Sequence, residues 1–358
     1  MINEAAIKAY LLNTFSNAVD IRISPIGSGV QGSGFLIEVW TPGGVQSYVI
    51  KALLTEGLGH DYPSDRAAVF LLDLDEYTNL PNHVKAVDVL SEMEDGSIKS
   101  IGGGREYYLL MERAEGRHYF HDLKLFAKKK SLDASDRRKI KAMTSYLTGI
   151  HAVKRESPAL YRRKLRDTVG HGECLMGVFD TYPDGFISTA KMSNIIKKSI
   201  DWIIKLKPKH ERLSQVHGDF HPGNIWFVPP DPSLSGGDAG SENFVLLDRS
   251  RGPWGDPADD VTALTINYIF FSILTYGDVR GPFYEGLRLF FNEYIRESCD
   301  AEITAVAAPF YAFRGAVVGN PLFYPDVTNE QRKCIFRFVL NVLSDADFDV
   351  ERVNEYLR

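Results

Sequence analysis

Two stretches of the chain space oxygen-bearing side chains at intervals suited to handling a phosphoryl group. The first, VHGDFHPGNIWF at 216–227, sets Asp219 five residues ahead of Asn224. The second, FVLLDRSRGPWGDPADD at 244–260, ends an apolar run in Asp248. A loop entering one strand, followed by a second strand that ends in an aspartate, brings the three side chains to one edge. A carboxylate there can orient a hydroxyl and accept its proton. Beside it, an amide oxygen and a second carboxylate offer the hard donors that Mg²⁺ prefers. His217 reads as a buttress of the loop and His221 as a lining residue, while Pro222 and Gly223 shape the turn. Asp256 and Asp260 read as residues that cap the following helix and hold the loop.

These side chains need a scaffold, and the chain has length for one. At 358 residues it is expected to form two domains or one bilobal unit. From Ile21 to Lys51, IRISPI, FLIEVW and SYVIK read as strands, with Phe35, Ile37 and Val39 alternating against Leu36 and Glu38 and a turn at Pro42-Gly43-Gly44. Residues 64–77 read as a helix capped by Ser64. Beyond Pro81, VKAVDVL and REYYLLMER read as two strands, with GSIKSIGGG as their turn. Past Gly116 helical spacing dominates, notably at 134–153, 190–206 and 261–358. Residues 229–243, rich in Pro, Gly and Ser, read as a flexible tip on a hairpin.

Composition narrows the function classes. Hydrophobic residues make up 44% and charged residues 25%, an ordinary globular balance. Three scattered cysteines give neither a disulfide framework nor a metal pair, which implies a reducing, cytoplasmic setting. MINEAAIKAYLLNTF reads as a short folded helix and lacks the pattern of a signal peptide. The uncharged run Val261 to Tyr276 is 16 residues, short of the roughly 20 needed to span a bilayer. Net charge is −6, and the Lys128-Lys129-Lys130 run has no aromatic interleaving, so neither a membrane nor nucleic acid is an expected partner. Residues 1–216 hold 30 Lys and Arg against 26 Asp and Glu, whereas 217–358 hold 11 against 21. That acidic excess is a weak pointer to an amine-bearing acceptor, with Tyr268, Phe271, Phe291, Tyr311 and Tyr324 read mostly as core. Arg314, inside APFYAFRGAVV, must find either a salt-bridge partner or a substrate anion.

HGDFHPGN resembles the H-x-D-x-x-x-x-N catalytic loop of the aminoglycoside phosphotransferase and choline kinase-like family. LLD followed by GDPADD resembles that family's metal-binding aspartate and its downstream segment. IGSGVQGSGF, with Gly27, Gly29 and Gly32, resembles a glycine-rich phosphate loop; VIK ends in Lys51; LLMERAEG resembles a hinge; LTGIHA resembles a large-lobe helix. The resemblance covers roughly residues 21–275. It implies an α+β, bilobal, protein kinase-like fold, with an N-terminal antiparallel sheet and one helix in the small lobe and a larger, mostly helical C-terminal lobe. The expected divisions are an N-terminal helix at 1–20, a nucleotide-binding lobe at 21–113 and a catalytic and substrate-binding lobe at 114–358.

The implied activity is transfer of the γ-phosphoryl group of ATP, or of GTP, to a hydroxyl of a small molecule: an aminoglycoside, a choline-like alcohol or a sugar. Asp219 would be the base, and Asn224 and Asp248 would hold Mg²⁺. Gly27, Gly29, Gly32 and Lys51 would meet the phosphates, and the backbone of Met111, Glu112, Arg113 and Ala114 would meet adenine. The acid that pairs with Lys51 is open among Asp65, Asp73 and Glu76. Arg249 and Arg251 stand where this family often has aromatic and acidic residues, and are candidates for phosphate or an anionic substrate. Two other classes compete. Gly218-Asp219-Phe220-His221 also resembles the GDxH motif of metal-dependent phosphoesterases, although Gly223-Asn224 is followed by Ile225 and not by histidine. A non-catalytic nucleotide-binding module would keep the fold without the chemistry.

Overall fold

The alternation that begins at Ile21 folds as a three-stranded antiparallel sheet. The computed structural model describes residues 2–358 apart from 29–31, 56–57, 78–83, 105, 107–108, 110 and 229–241. Strands β1 (Asp20–Ser28), β2 (Gly32–Thr41) and β3 (Gly44–Leu53) lie in that order, with Ile37 opposite both Ile23 and Tyr48. Ile21, Ile37 and Val39 form the buried face, and Leu11, Leu12 and Phe15 cover it. Those residues come from helix α1 (Glu4–Thr14) and its C-cap, so the N-terminal helix is part of this unit's core.

Helix α2 (Pro63–Glu76) starts one residue earlier than expected, and Ser64 is not its cap. Proline at the first helical position fixes the start, and Asp65 Oδ2 accepts the Tyr62 backbone N–H at 2.8 Å. The next hairpin also differs from expectation. Its strands are β4 (Leu90–Glu92) and β5 (Ile98–Ser100), so part of the segment read as a turn is a strand. The turn is Asp95-Gly96, with Gly96 at φ 78° and its N–H on Met93 C=O. The expected strand 105–113 lies partly outside the described residues; its described members form none.

The chain divides into two compact units, Met1–Met111 and Glu112–Arg358. The division falls inside the segment Met111–Ala114 assigned to the connector. The second unit contains β6 (Arg117–His118), α3 (Phe120–Phe126), α4 (Ala134–His151), α5 (Pro158–Gly170), α6 (Leu175–Asp180), α7 (Thr189–Leu206), β7 (Ser214–Gln215), β8 (Ile225–Phe227), β9 (Phe244–Leu246) and β10 (Trp254–Gly255). Helices α8 (Pro257–Tyr276), α9 (Gly281–Ser298), α10 (Ile303–Val306), α11 (Ala308–Gly319) and α12 (Asn329–Ser344) follow.

The long uncharged run is now explained. Helix α8 is buried on every face from Pro257 to Phe270 and packs against α9 and α11. A helix apolar all round belongs at the centre of a bundle. Among the described residues no helix is long and apolar enough to cross a membrane. Asp256 caps α8 through the Ala258 N–H at 3.0 Å, and Gly277, at φ 79°, ends it. Tyr268, Phe291 and Tyr311 are core, whereas Phe271 and Tyr324 are half-buried.

Candidate active site

Two small sheets hold the motif-bearing segments side by side. Residues 216–224 leave β7 and enter β8; residues 247–253 leave β9 and enter β10. Because β8 pairs with β9 and β7 with β10, both segments are tied at both ends. The Val216 N–H donates to Pro253 C=O at 3.0 Å, and the Leu247 N–H to Asn224 C=O at 3.0 Å. Asn224 and the residue before Asp248 are thus joined directly, which places the amide and the carboxylate on one edge.

Asp260, fully buried on α8, fixes the turn. Its Oδ2 accepts the His217 N–H and its Oδ1 the Gly218 N–H, each at 2.7 Å, and His151 Nε2 lies 3.2 Å from Oδ2. Gly218 adopts φ 88°, a conformation that side chains rarely accept. His217 Nδ1 takes the Asp219 N–H at 3.2 Å, and His221 Nδ1 the Gly223 N–H at 3.0 Å. Both imidazoles therefore spend one nitrogen on shaping the loop. Among the described residues no group of three or more His, Cys, Asp or Glu is poised to hold a metal.

Arginines hold Asp219 on one side only. Arg314 Nη1 donates to Asp219 Oδ1 at 2.6 Å and Arg251 Nη2 to the same oxygen at 2.9 Å, while the nearest cationic candidate to Oδ2 is His221 Nε2 at 3.8 Å. Burial works against the charge of Asp219, but Arg314 and Arg251 outweigh it and keep the carboxyl below its ordinary pKa. His221 moves the other way: burial lowers its imidazole despite the pull of Asp219. Arg314, 4% exposed, also donates from Nη2 to Asp259 Oδ1 at 2.5 Å and to Gly218 C=O at 3.1 Å. Of its two anticipated roles it fills the salt bridge, and Asp259, which had no assigned role, is one of its partners. Arg249 is exposed, and its Nε and Nη2 donate to Val216 C=O at 3.1 and 2.9 Å.

Asn224 Nδ2 donates to Asp219 C=O at 3.0 Å, which leaves its Oδ1 without a hydrogen-bond partner among the described residues. Asp248 is exposed and sits at φ 58°, unusual for a residue with a side chain, and its Oδ1 accepts the Ser250 N–H at 3.1 Å. Local strain of this kind collects at functional positions. One amide oxygen and one carboxylate on joined strands form a hard-oxygen donor set that fits Mg²⁺.

In the first unit, Lys51 Nζ lies 3.9 Å from Asp73 Oδ2, which answers the open question of its partner. Asp65 is occupied in starting α2. Gly32 has a packing reason to be glycine: a Cβ there would sit 2.0 Å from Ala52 C=O on β3. A Cβ at Gly27 would meet nothing within 4 Å, and Gly29 lies outside the described residues. Met111, Glu112 and Arg113 are exposed and Ala114 is half-buried. The expected hairpin tip at 229–243 likewise lies outside the described residues except for its last two positions.

No protein-family model and no curated protein matches the chain. Several solved structures do. An ethanolamine kinase from Plasmodium vivax is 13% identical, with 99% of this chain and 86% of that one covered and a TM-score of 0.35. A microcompartment-associated aminopropanol kinase is 11% identical, with coverage of 98% and 99% and a TM-score of 0.39. A choline/ethanolamine kinase family protein from Mesorhizobium loti is 12% identical, with coverage of 99% and 98% and a TM-score of 0.35. These are proteins of the kind the motifs resemble, although at such identities and TM-scores no shared activity follows from the likeness.

Proposed function

We propose that this protein is a phosphotransferase that moves the γ-phosphoryl group of ATP to a hydroxyl of a small molecule, with Asp219 as its catalytic base. The observation that carries this reading is the two-sidedness of Asp219: Oδ1 is pinned by two guanidinium groups, and Oδ2 is left to receive a hydroxyl. Asn224 Oδ1 and Asp248 are the residues that would hold Mg²⁺, whose charge, when it is bound, offsets that of the phosphates. In this reading Lys51, Gly27, Gly29 and Gly32 serve the nucleotide's phosphates, and the backbone of Met111–Ala114 serves adenine.

The chemistry asked of Asp219 matches its environment. A carboxylate held below its ordinary pKa is a weak base, so it orients the hydroxyl first and takes the proton late. As the acceptor oxygen bonds to phosphorus and the bond to the bridging oxygen of ADP breaks, the hydroxyl acidifies and its proton passes to Oδ2. Positioning and charge supply most of the rate. The rigid turn around Gly218 and Asp260 provides the first, and the Arg314 pair keeps the carboxylate ionised for the second.

The test is ADP release in a coupled assay across a panel of alcohols, sugars and aminoglycosides, with Asp219→Ala and Asp219→Asn alongside. Both variants are expected to lose about two to four decades of kcat while still binding ATP. Turnover that survives both substitutions, or that needs no nucleotide, overturns the reading. Asn224→Ala is expected to raise the Mg²⁺ concentration needed for half-maximal rate.

A further inference from the structure

Around Asp219 the cations differ in how fully they are engaged. Arg251 and Arg314 bond Asp219, Arg314 also bonds Asp259, and Lys164 Nζ is bonded to Arg251 C=O at 2.5 Å. Arg314 is mostly committed, its two Nη atoms on Asp219, Asp259 and Gly218 C=O. Arg251 is not: Nη2 bonds Asp219, but Nη1 is out of solvent with no hydrogen-bond partner among the described residues. Its guanidinium lies over the ring of Phe313, 4.7 Å from the centroid. Other charged neighbours of the loop are engaged, Asp260 with the His217 and Gly218 N–H groups and Arg249 with Val216 C=O, while Phe120 packs on His221 and on Phe271.

Resting on the phosphotransferase reading, we propose that the acceptor is an anionic alcohol, a hydroxyl compound bearing a carboxylate or phosphate, and that Arg251 is the residue that selects it. The acceptor hydroxyl meets Asp219 Oδ2, and its anion meets Arg251 Nη1. One guanidinium thereby bridges the base and the substrate's charge, which fixes the distance from hydroxyl to anion and favours short hydroxy acids or phosphorylated alcohols. Three carboxylates of the acidic excess of residues 217–358 do not oppose this. Asp256 is engaged by Arg212, Asp259 by Arg314, and Asp260 by the loop's N–H groups, so none of the three presents a free charge to an acceptor.

Glycerate, glycerol and serinol share a three-carbon skeleton and differ in charge, and they test the proposal as acceptors in the ADP-release assay. Glycerate is expected to exceed the other two in kcat/KM by about ten- to a hundredfold, the worth of a hydrogen bond to a charged group. Arg251→Gln is expected to erase that preference by raising the KM for glycerate, with Arg251→Lys intermediate. Because the readout is a ratio between acceptors on one preparation, partial misfolding cancels. Equal rates, a preference for serinol, or an Arg251→Gln effect confined to the KM for ATP overturns the proposal, the last by assigning the guanidinium to the nucleotide. A thermal-shift arm reads the same site without turnover: stabilisation by glycerate above serinol, lost in Arg251→Gln, supports it, and no such difference overturns it. Stabilisation by the anion in a protein that transfers phosphate to nothing would overturn the phosphotransferase reading and leave the anion site standing.

Discussion

Removing the carboxyl of Asp260 tests how the loop is held. In Asp260→Ala three donors lose their acceptor: the His217 and Gly218 N–H groups at 2.7 Å and His151 Nε2 at 3.2 Å. Hydrogen bonds to a charged group are worth about 1.5–3 kcal/mol each, but breaking one buried charged cluster costs about 3–5 kcal/mol in total, so a loss of about 4 kcal/mol is expected. For a unit the size of Glu112–Arg358, with a urea slope of about 3 kcal/mol per molar, the midpoint falls by about 1.3 M. Trp202, Trp226 and Trp254 all lie in that unit and report its unfolding, with circular dichroism as the second probe. Asp260→Asn is expected to recover less than half the loss, because an amide offers one acceptor oxygen where two backbone N–H groups converge. Acid provides a further check. Burial alone would raise the pKa of Asp260, but the hydrogen bond and charge of His151, with help from His217, hold it below the ordinary 3.8. A carboxyl depressed in the folded state stabilises fully above its unfolded pKa and loses that effect as pH falls through the folded one. The gap between wild type and Asp260→Ala should therefore be flat from neutrality to about pH 5 and close below about pH 4. A variant within 1 kcal/mol of wild type, an asparagine variant equal to it, or a gap that persists into strong acid refutes the reasoning.

The glycines at 27 and 32 should separate. Gly32→Ala forces Cβ against Ala52 C=O and is expected to cost about 1–3 kcal/mol in the first unit, read by Trp40 fluorescence, whereas Gly27→Ala meets nothing and should leave stability within error. Thiol titration should divide the cysteines. Cys174 is 5% exposed, and burial, countered in part by Arg251, pushes its thiol up to about 11, so it should stay silent until the protein unfolds, while exposed Cys299 reacts first.

The catalytic-loop reading was accessible from sequence because its parts are local. Glycine, proline and aspartate at fixed offsets dictate a turn, and the cap at Asp256 follows from its place at a helix start, whereas Asp260 serves the loop instead of capping. Arg314 announced itself as a charge in an apolar run, yet its partners lie 95 and 55 residues away and leave no local trace. Arg251 stood out with Arg249 as a candidate for phosphate or an anionic substrate, but nothing local in the sequence places its Nη2 on Asp219. The missed hairpin has a different cause. Strands of three residues, LSE and IKS, are too short and too polar to show an alternating pattern, so the more apolar runs on either side drew the assignment. The Ser64 cap was displaced by Pro63, whose fixed φ claims the first helical position.

The clasp of Arg314 on Asp219 also has a consequence for the order of assembly. Every motif residue of the loop is in the chain by residue 260, but Arg314, the more deeply buried of the two guanidiniums on the base, arrives on α11, 95 residues after Asp219. Closing so long a loop is slow, and domains synthesised from the N-terminus acquire their last helices last. The base is therefore among the final groups to be set, and a chain interrupted before α11 would carry an intact motif around a carboxylate holding only one of its two counter-charges.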